Sequence, residues 1–146
     1  EFGSGHGSEV LSEHFDLFSF EHDEAWLGVT SSTYIHAPIV ANQHATEAGE
    51  KGWYDFEIVK QHWPENPQCV IVDGPPGFIG RTGILSMLDE LASVSLILVD
   101  DIDREAELQL LQMLSTGLDR IQTTYDVEKP REGGSNRRFA TLTRRP

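Results

Sequence analysis

Along the chain, short unbroken apolar runs alternate with stretches whose apolar residues recur every three or four positions. "QCVIVD" (68–73) and "VSLILVD" (94–100) are β-branched and aliphatic runs that end on an acid. Runs of that length read as strands buried on both faces of a parallel sheet. "DLFSFE" (16–21) is a shorter strand with the same acidic ending. "TYIHAPIV" (33–40) is a weaker one, because Pro38 cannot donate to a ladder and confines it to an end or an edge. Between the two long runs Ile84, Leu85, Leu88 and Leu91 keep helical spacing. After them "DREAELQLLQML" predicts an amphipathic helix with Leu108, Leu111 and Leu114 on one stripe, Asp103 as N-cap and Gly117 as its stop. "DRIQTTYDV" and "RRFATLTRR", joined by "EKPREGGSN", predict an antiparallel hairpin with a Gly-rich loop. Segment 41–67 carries the weakest pattern, with a short helix expected around 55–62. The order of elements predicts one α/β domain over residues 1–146, a mostly parallel sheet with a C-terminal antiparallel hairpin.

Composition narrows the partners. The chain of 146 residues is long enough for one sizeable core. Its 24 acidic against 11 basic residues give a formal net charge of −13. Nucleic acid and anionic membrane both need a basic face, so neither is expected as a partner; solubility is the plain use of such acidity. No apolar run reaches the roughly 18 residues of a membrane span. No secretory leader is recognisable, and the expected compartment is the cytoplasm. Cys69, the lone cysteine, sits inside "CVIVD", allows no intramolecular disulfide, and reads as a small buried hydrophobe.

The stretch "EFGSGHGS" (1–8) places Gly3, Gly5 and Gly7 at alternate positions. Doubly wound sheets bind ligands at the carboxyl ends of their strands, and the first turn there needs glycine so that backbone can approach the ligand. Glu21 ends the next strand, 18 residues after Gly3, at a spacing that suits recognition of ribose hydroxyls. A dinucleotide fingerprint would require its third glycine where Ser8 stands. The pattern E-x-G-x-G-x-G-S instead resembles motif I of the class I S-adenosylmethionine-dependent methyltransferases. That resemblance implies a Rossmann-like doubly wound fold and S-adenosylmethionine as cofactor. It puts Glu1, Gly3, Gly5 and Gly7 along the cofactor loop and Glu21 on the ribose; His22, which follows, reads either as a flank of the adenine or as a solvated loop histidine. It also implies an apolar first strand ending at Glu1, so that strand is expected to be missing or truncated in this sequence, along with the helices that precede it. A rival reading takes "EFGS" as a cloning remnant.

"VIVDGPPGFIGRTGILSMLDELASVSLILVDDIDREAE" carries a second signal. The pattern D-G-P-P-G, then an arginine, then D-D-x-x-R-x-x-E, resembles the small-molecule and sugar-modifying branch of the same family. The Gly-Gly usual before the fifth strand is absent. The resemblance implies O-methylation of a small hydroxylated acceptor such as a sugar, with Asp73 as the catalytic group beside the transferred methyl and in contact with the cofactor. Related enzymes hold Mg²⁺ on acids at these strand ends, here Asp73, Asp100 and Asp101; the cation would lower the pKa of a vicinal diol. Adjacent strand residues point to opposite faces, so Asp101 could equally cap the following turn. Arg81 is a candidate for an anionic or hydroxylated substrate, or for a salt bridge. Arg104 is expected to pair with Glu107 or Asp101. Trp53-Tyr54 suits either packing or the wall of a sugar pocket. Two other readings stay open: a non-catalytic nucleoside-binding or interaction module on this fold, and an NAD-dependent oxidoreductase, disfavoured by Ser8.

Overall fold

The computed structural model describes residues 1–44, 50–130 and 136–146. They form a mixed α/β structure with small sheets, parallel and antiparallel strands, and no closed barrel. The chain falls into two compact units, Glu1–Glu65 with Asp73–Gly83, and Asn66–Val72 with Ile84–Pro146.

The first unit holds α1 (His6–Ser12), β1 (Phe18–Glu21), β2 (Thr33–His36), β3 (Ile39–Val40), β4 (Trp53–Tyr54) and α2 (Phe56–Gln61). β1 and β2 run parallel, with Phe20 opposite Ile35 and Glu21 opposite His36. The run 33–40 breaks at Ala37-Pro38, as a residue without an N–H demands. Beyond the break β3 pairs antiparallel with β4 instead. Asp55 starts α2 by accepting from Glu57 N at 3.0 Å and Ile58 N at 3.4 Å.

Ahead of α1 the chain is extended and bonded on both sides. Phe2 makes a parallel bridge with Phe20. Phe20 N donates to Glu1 O at 3.0 Å and Gly3 N to Phe20 O at 2.9 Å; the Phe2 carbonyl accepts from Asp73 N at 3.1 Å and Gly74 N at 2.6 Å. The Phe2 ring, 1% exposed, is the hub of an aromatic core. Its centroid lies 5.3 Å from Phe20, 5.1 Å from Trp53, 5.7 Å from Tyr54 and 6.1 Å from Trp63. Burying a ring of that size stabilises by about 2–3 kcal/mol.

The second unit holds β5 (Cys69–Val72), α3 (Leu88–Ala92), β6 (Leu96–Val99), α4 (Glu105–Gly117), β7 (Arg120–Pro130) and β8 (Asn136–Arg144). A 3-10 turn over Thr82–Met87 leads into α3. The sheet order is β5-β6-β8-β7; β5 and β6 are parallel, and β8 is antiparallel to both of its neighbours. The expected hairpin is therefore β7–β8, and residues 131–135 of its Gly-rich loop lie outside the described residues.

Four expectations need correction here. β5 and β6 are not buried on both faces: Val70, Val72, Ile97 and Val99 are buried, while their alternate neighbours are half-buried or exposed. Cys69 is exposed for that reason, on the less covered face. The N-cap of α4 is Arg104, extended at φ −88°, and Asp103 does not cap; its carboxylate accepts from Arg138 N at 3.4 Å. The buried stripe of α4 is Glu107, Leu110, Leu111 and Leu114; Leu111 and Leu114 lie on it as expected, whereas Leu108 is only half-buried. Arg120, wholly buried, closes the unit: its guanidinium donates to the carbonyls of Leu91, Ala92, Val94 and Ser95 at 2.7–3.4 Å. These carbonyls lie at the end of α3 and in the turn that follows it. Among the described residues no helix is long and apolar enough to cross a membrane.

Candidate ligand site at the glycine turn

The turn from Phe2 to α1 is built on one close backbone contact. Gly3 has φ +82°, a conformation that L side chains rarely adopt, and a Cβ there would lie 2.7 Å from Gly74 Cα and 2.8 Å from Gly74 N. Gly74 has the reciprocal constraint, since its Cβ would fall 2.6 Å from Gly3 Cα. The two glycines thus bring the turn against the residue after Asp73. Gly5 is different. Its φ of −175° is ordinary extended backbone, and a Cβ would meet nothing within 4 Å, as at Gly7. Gly5 is the N-cap of α1, and its N–H donates to Ser8 Oγ at 3.0 Å.

Two acids flank the turn. Glu1, half-buried, accepts from Ser8 Oγ at 2.5 Å and Ser19 Oγ at 2.7 Å, both through Oε1. Glu21 is 3% exposed. Its Oε2 accepts from Ser4 N at 2.8 Å and Ser4 Oγ at 3.3 Å; its Oε1 accepts from His22 N at 2.7 Å and Asp23 N at 2.8 Å. A carboxylate has about four acceptor positions, so the protein's own donors already fill this one. The His22 ring lies beside it, Nδ1 2.8 Å from Glu21 Oε1. His6, the first residue of α1, is exposed and meets the Trp26 ring edge-on at 5.8 Å.

Asp73 is half-exposed, and its loop is held from beneath. Arg81, 4% exposed, donates from Nε to Pro75 O at 3.1 Å and from Nη2 to Asp73 O, with Asp73 Oδ1 at 3.5 Å. Its guanidinium thus grips the Asp73–Pro75 loop. The Gly74–Pro75 bond is cis.

Asp100 and Asp101 follow β6 in the second unit. Asp100 N donates to Val72 O at 3.1 Å. Asp101 is buried at φ +62°. Both carboxylates face arginines: Arg137 Nη2 bonds Asp100 Oδ2, Arg137 Nε lies 3.5 Å from Asp101 Oδ1, and Arg104 Nη1 lies 2.9 Å from Asp101 Oδ2 and 3.5 Å from Glu107. Arg104 therefore pairs with both acids expected of it. Arg137 is new; β8 register brings it there, because Ala140 sits opposite Val99.

Trp53-Tyr54, expected either to pack or to wall a pocket, is buried as β4, and the place of the Tyr54 hydroxyl is what the sequence did not show. Tyr54 is fully buried beside the turn, and its phenol pKa is raised well above the ordinary value, first by burial and then by the charge of Glu21. Its hydroxyl lies 2.5 Å from the position a Gly74 Cβ would take. Comparison with protein-family models, with curated proteins and with solved structures finds no match to this chain.

Proposed function

We propose that the chain binds S-adenosylmethionine at the glycine turn, on a Rossmann-like doubly wound α/β fold, and transfers its methyl group to an oxygen of a small hydroxylated molecule of the sugar class. The observation that carries the reading is the Gly3–Gly74 contact: it joins a glycine turn with Glu21 behind it to the loop that presents half-exposed Asp73. The C-terminal β7–β8 hairpin agrees with the same fold. In the transfer, an acceptor oxygen attacks the sulfonium methyl, the new C–O bond forms as the C–S bond breaks, and S-adenosylhomocysteine leaves. Asp73 takes the acceptor's proton, and the rest of the task is alignment. Asp73, Asp100 and Asp101 are hard oxygen donors of the kind Mg²⁺ prefers. A cation on the latter two would compete with Arg137 and Arg104.

Calorimetric titration with S-adenosylhomocysteine and with NAD tests the reading. Binding of the first alone supports it, binding of NAD alone replaces it with an oxidoreductase, and binding of neither overturns it. A non-catalytic nucleoside-binding module on the same fold is the second reading. It is favoured by the saturation of Glu21 and the arginine pairing of Asp100 and Asp101. S-adenosylhomocysteine binding without methyl transfer to vicinal diols, with Mg²⁺ or with chelator, would select it.

A further inference from the structure

Two polar atoms on β4 are buried without a hydrogen-bond partner among the described residues, the Trp53 indole Nε1 and the Tyr54 hydroxyl. An orphan of this kind costs about 1–3 kcal/mol, and folded proteins carry few of them. Nothing in the structure explains the Trp53 atom. The Tyr54 hydroxyl has a telling position. It lies 2.5 Å from the point a Gly74 Cβ would occupy, and Gly3 Cα lies 2.6 Å from that same point. The hydroxyl is therefore directly behind the contact that forms the glycine turn, and on that side two residues without side chains cover it. Burial and the charge of Glu21, then those of Asp73 and Glu1, oppose ionisation of the phenol; Arg81 acts the other way, and the net effect keeps it protonated. It is a donor without an acceptor. Three acids against the single Arg81 cation favour a neutral oxygen over a diphosphate as its partner.

We infer that the Tyr54 hydroxyl is a ligand-binding group that donates to a ribose oxygen of the nucleoside once the Gly3–Ser4 turn lifts from Gly74. The inference rests on the S-adenosylmethionine reading above. Lifting the turn does two things together. It releases Ser4 N and Oγ from Glu21 Oε2, which frees acceptor positions for a ribose hydroxyl, and it uncovers Tyr54. A ribose supplies both a donor for the carboxylate and an acceptor for the phenol. The saturation of Glu21 in the ligand-free protein then describes a closed state of the site.

The test is Tyr54→Phe, which removes one oxygen and keeps the ring in the aromatic core. Thermal unfolding without ligand should give an unchanged or higher Tm, because the hydroxyl has no partner to lose. S-adenosylhomocysteine should bind about 5–10-fold more weakly, the loss of one hydrogen bond. A ligand-free Tm lower by about 3 °C or more would mean that the hydroxyl serves the fold, and would overturn the inference. Equal affinity in Tyr54→Phe and the parent would overturn it while leaving the cofactor reading in place. A parent protein that does not bind S-adenosylhomocysteine would overturn both.

Discussion

At the end of β1 an acid is held by backbone amides; at the end of β6 two acids are held by arginines. Glu21 accepts from Ser4 N, His22 N and Asp23 N, neutral donors that fill its lone pairs and leave its charge in place. Asp100 and Asp101 meet Arg137 and Arg104, which cancel the charge itself. The first arrangement depends on backbone geometry to a fraction of an ångström, and that geometry depends on Gly3 lying against Gly74. The second tolerates movement of long side chains and is open to salt and to competing cations. An acid held by neutral backbone donors alone is compatible with the ribose contact proposed above. An acid pair already neutralised by arginines suits structure first, and a metal only by displacement.

The comparison breaks most severely at Gly3. Gly3→Ala forces a side chain into positive φ and against Gly74 backbone, and should cost about 2–4 kcal/mol from the two effects together. Gly5→Ala, where the space is open and φ is extended, should change stability by only a few tenths of a kcal/mol. Urea denaturation of the pair checks this, and equal effects would mean that the turn is not set by the Gly3 contact. Next in size is Glu21→Gln. The amide cannot accept on both sides, so roughly 1.5–3 kcal/mol should be lost, with weaker S-adenosylhomocysteine binding in the protein that still folds. Unchanged stability would show that the amide donors do not hold the acid.

Alkaline pH sharpens the glycine end of the comparison. The Tyr54 pKa is raised in the folded protein above the ordinary value of 10.0. Above that value the unfolded chain loses the proton and the folded chain keeps it, so ionisation pulls toward unfolding. Stability is thus fully present below about pH 10 and falls as pH rises past it, by at most about 1.4 kcal/mol per pH unit. The difference between parent and Tyr54→Phe across pH 8–11 isolates this group, and a flat difference would refute the burial of the phenol. The smallest effect belongs to the arginine-held end. Arg137 is close to half-exposed, so Arg137→Gln should cost under about 1 kcal/mol and less at high salt. The same variant should bind Mg²⁺ more tightly than the parent if the acids take a cation, and no more tightly if they serve structure alone.

What was legible follows from range. Elements written in local pattern were readable: the apolar runs became β5 and β6, the leucine periodicity became α4, and Pro38 marked the place where β2 stops. The acidic strand ends and the glycine turn were visible as spacing. The sequence did not distinguish Gly3 from Gly5, because the difference lies in the approach of Gly74, far along the chain. Cys69 misled because a continuous apolar run reads the same whether one face is covered or two; the alternating burial of β5 depends on neighbours that the run does not contain. Arg104 was found through its i+3 spacing to Glu107, whereas Arg137 required the register of β8. Tyr54 lay in the segment with the weakest pattern, and a lone tyrosine says nothing of a missing partner until its surroundings are known.

The pair of amides on the Phe2 carbonyl also sets an order in time. Asp73 N and Gly74 N close the glycine turn from the opposite side, so the turn cannot be finished until the chain has been made past them. At about 5–20 residues per second, synthesis from Phe2 to Gly74 takes roughly 4–14 s, and throughout that interval Gly3 is free to adopt either sign of φ. Contacts so distant in sequence also form late in refolding, since loop closure must come first. The glycine turn in its observed form is therefore completed at the end of folding, and a nascent chain stalled before Asp73 holds Glu21 and its glycines without the amides that close the turn.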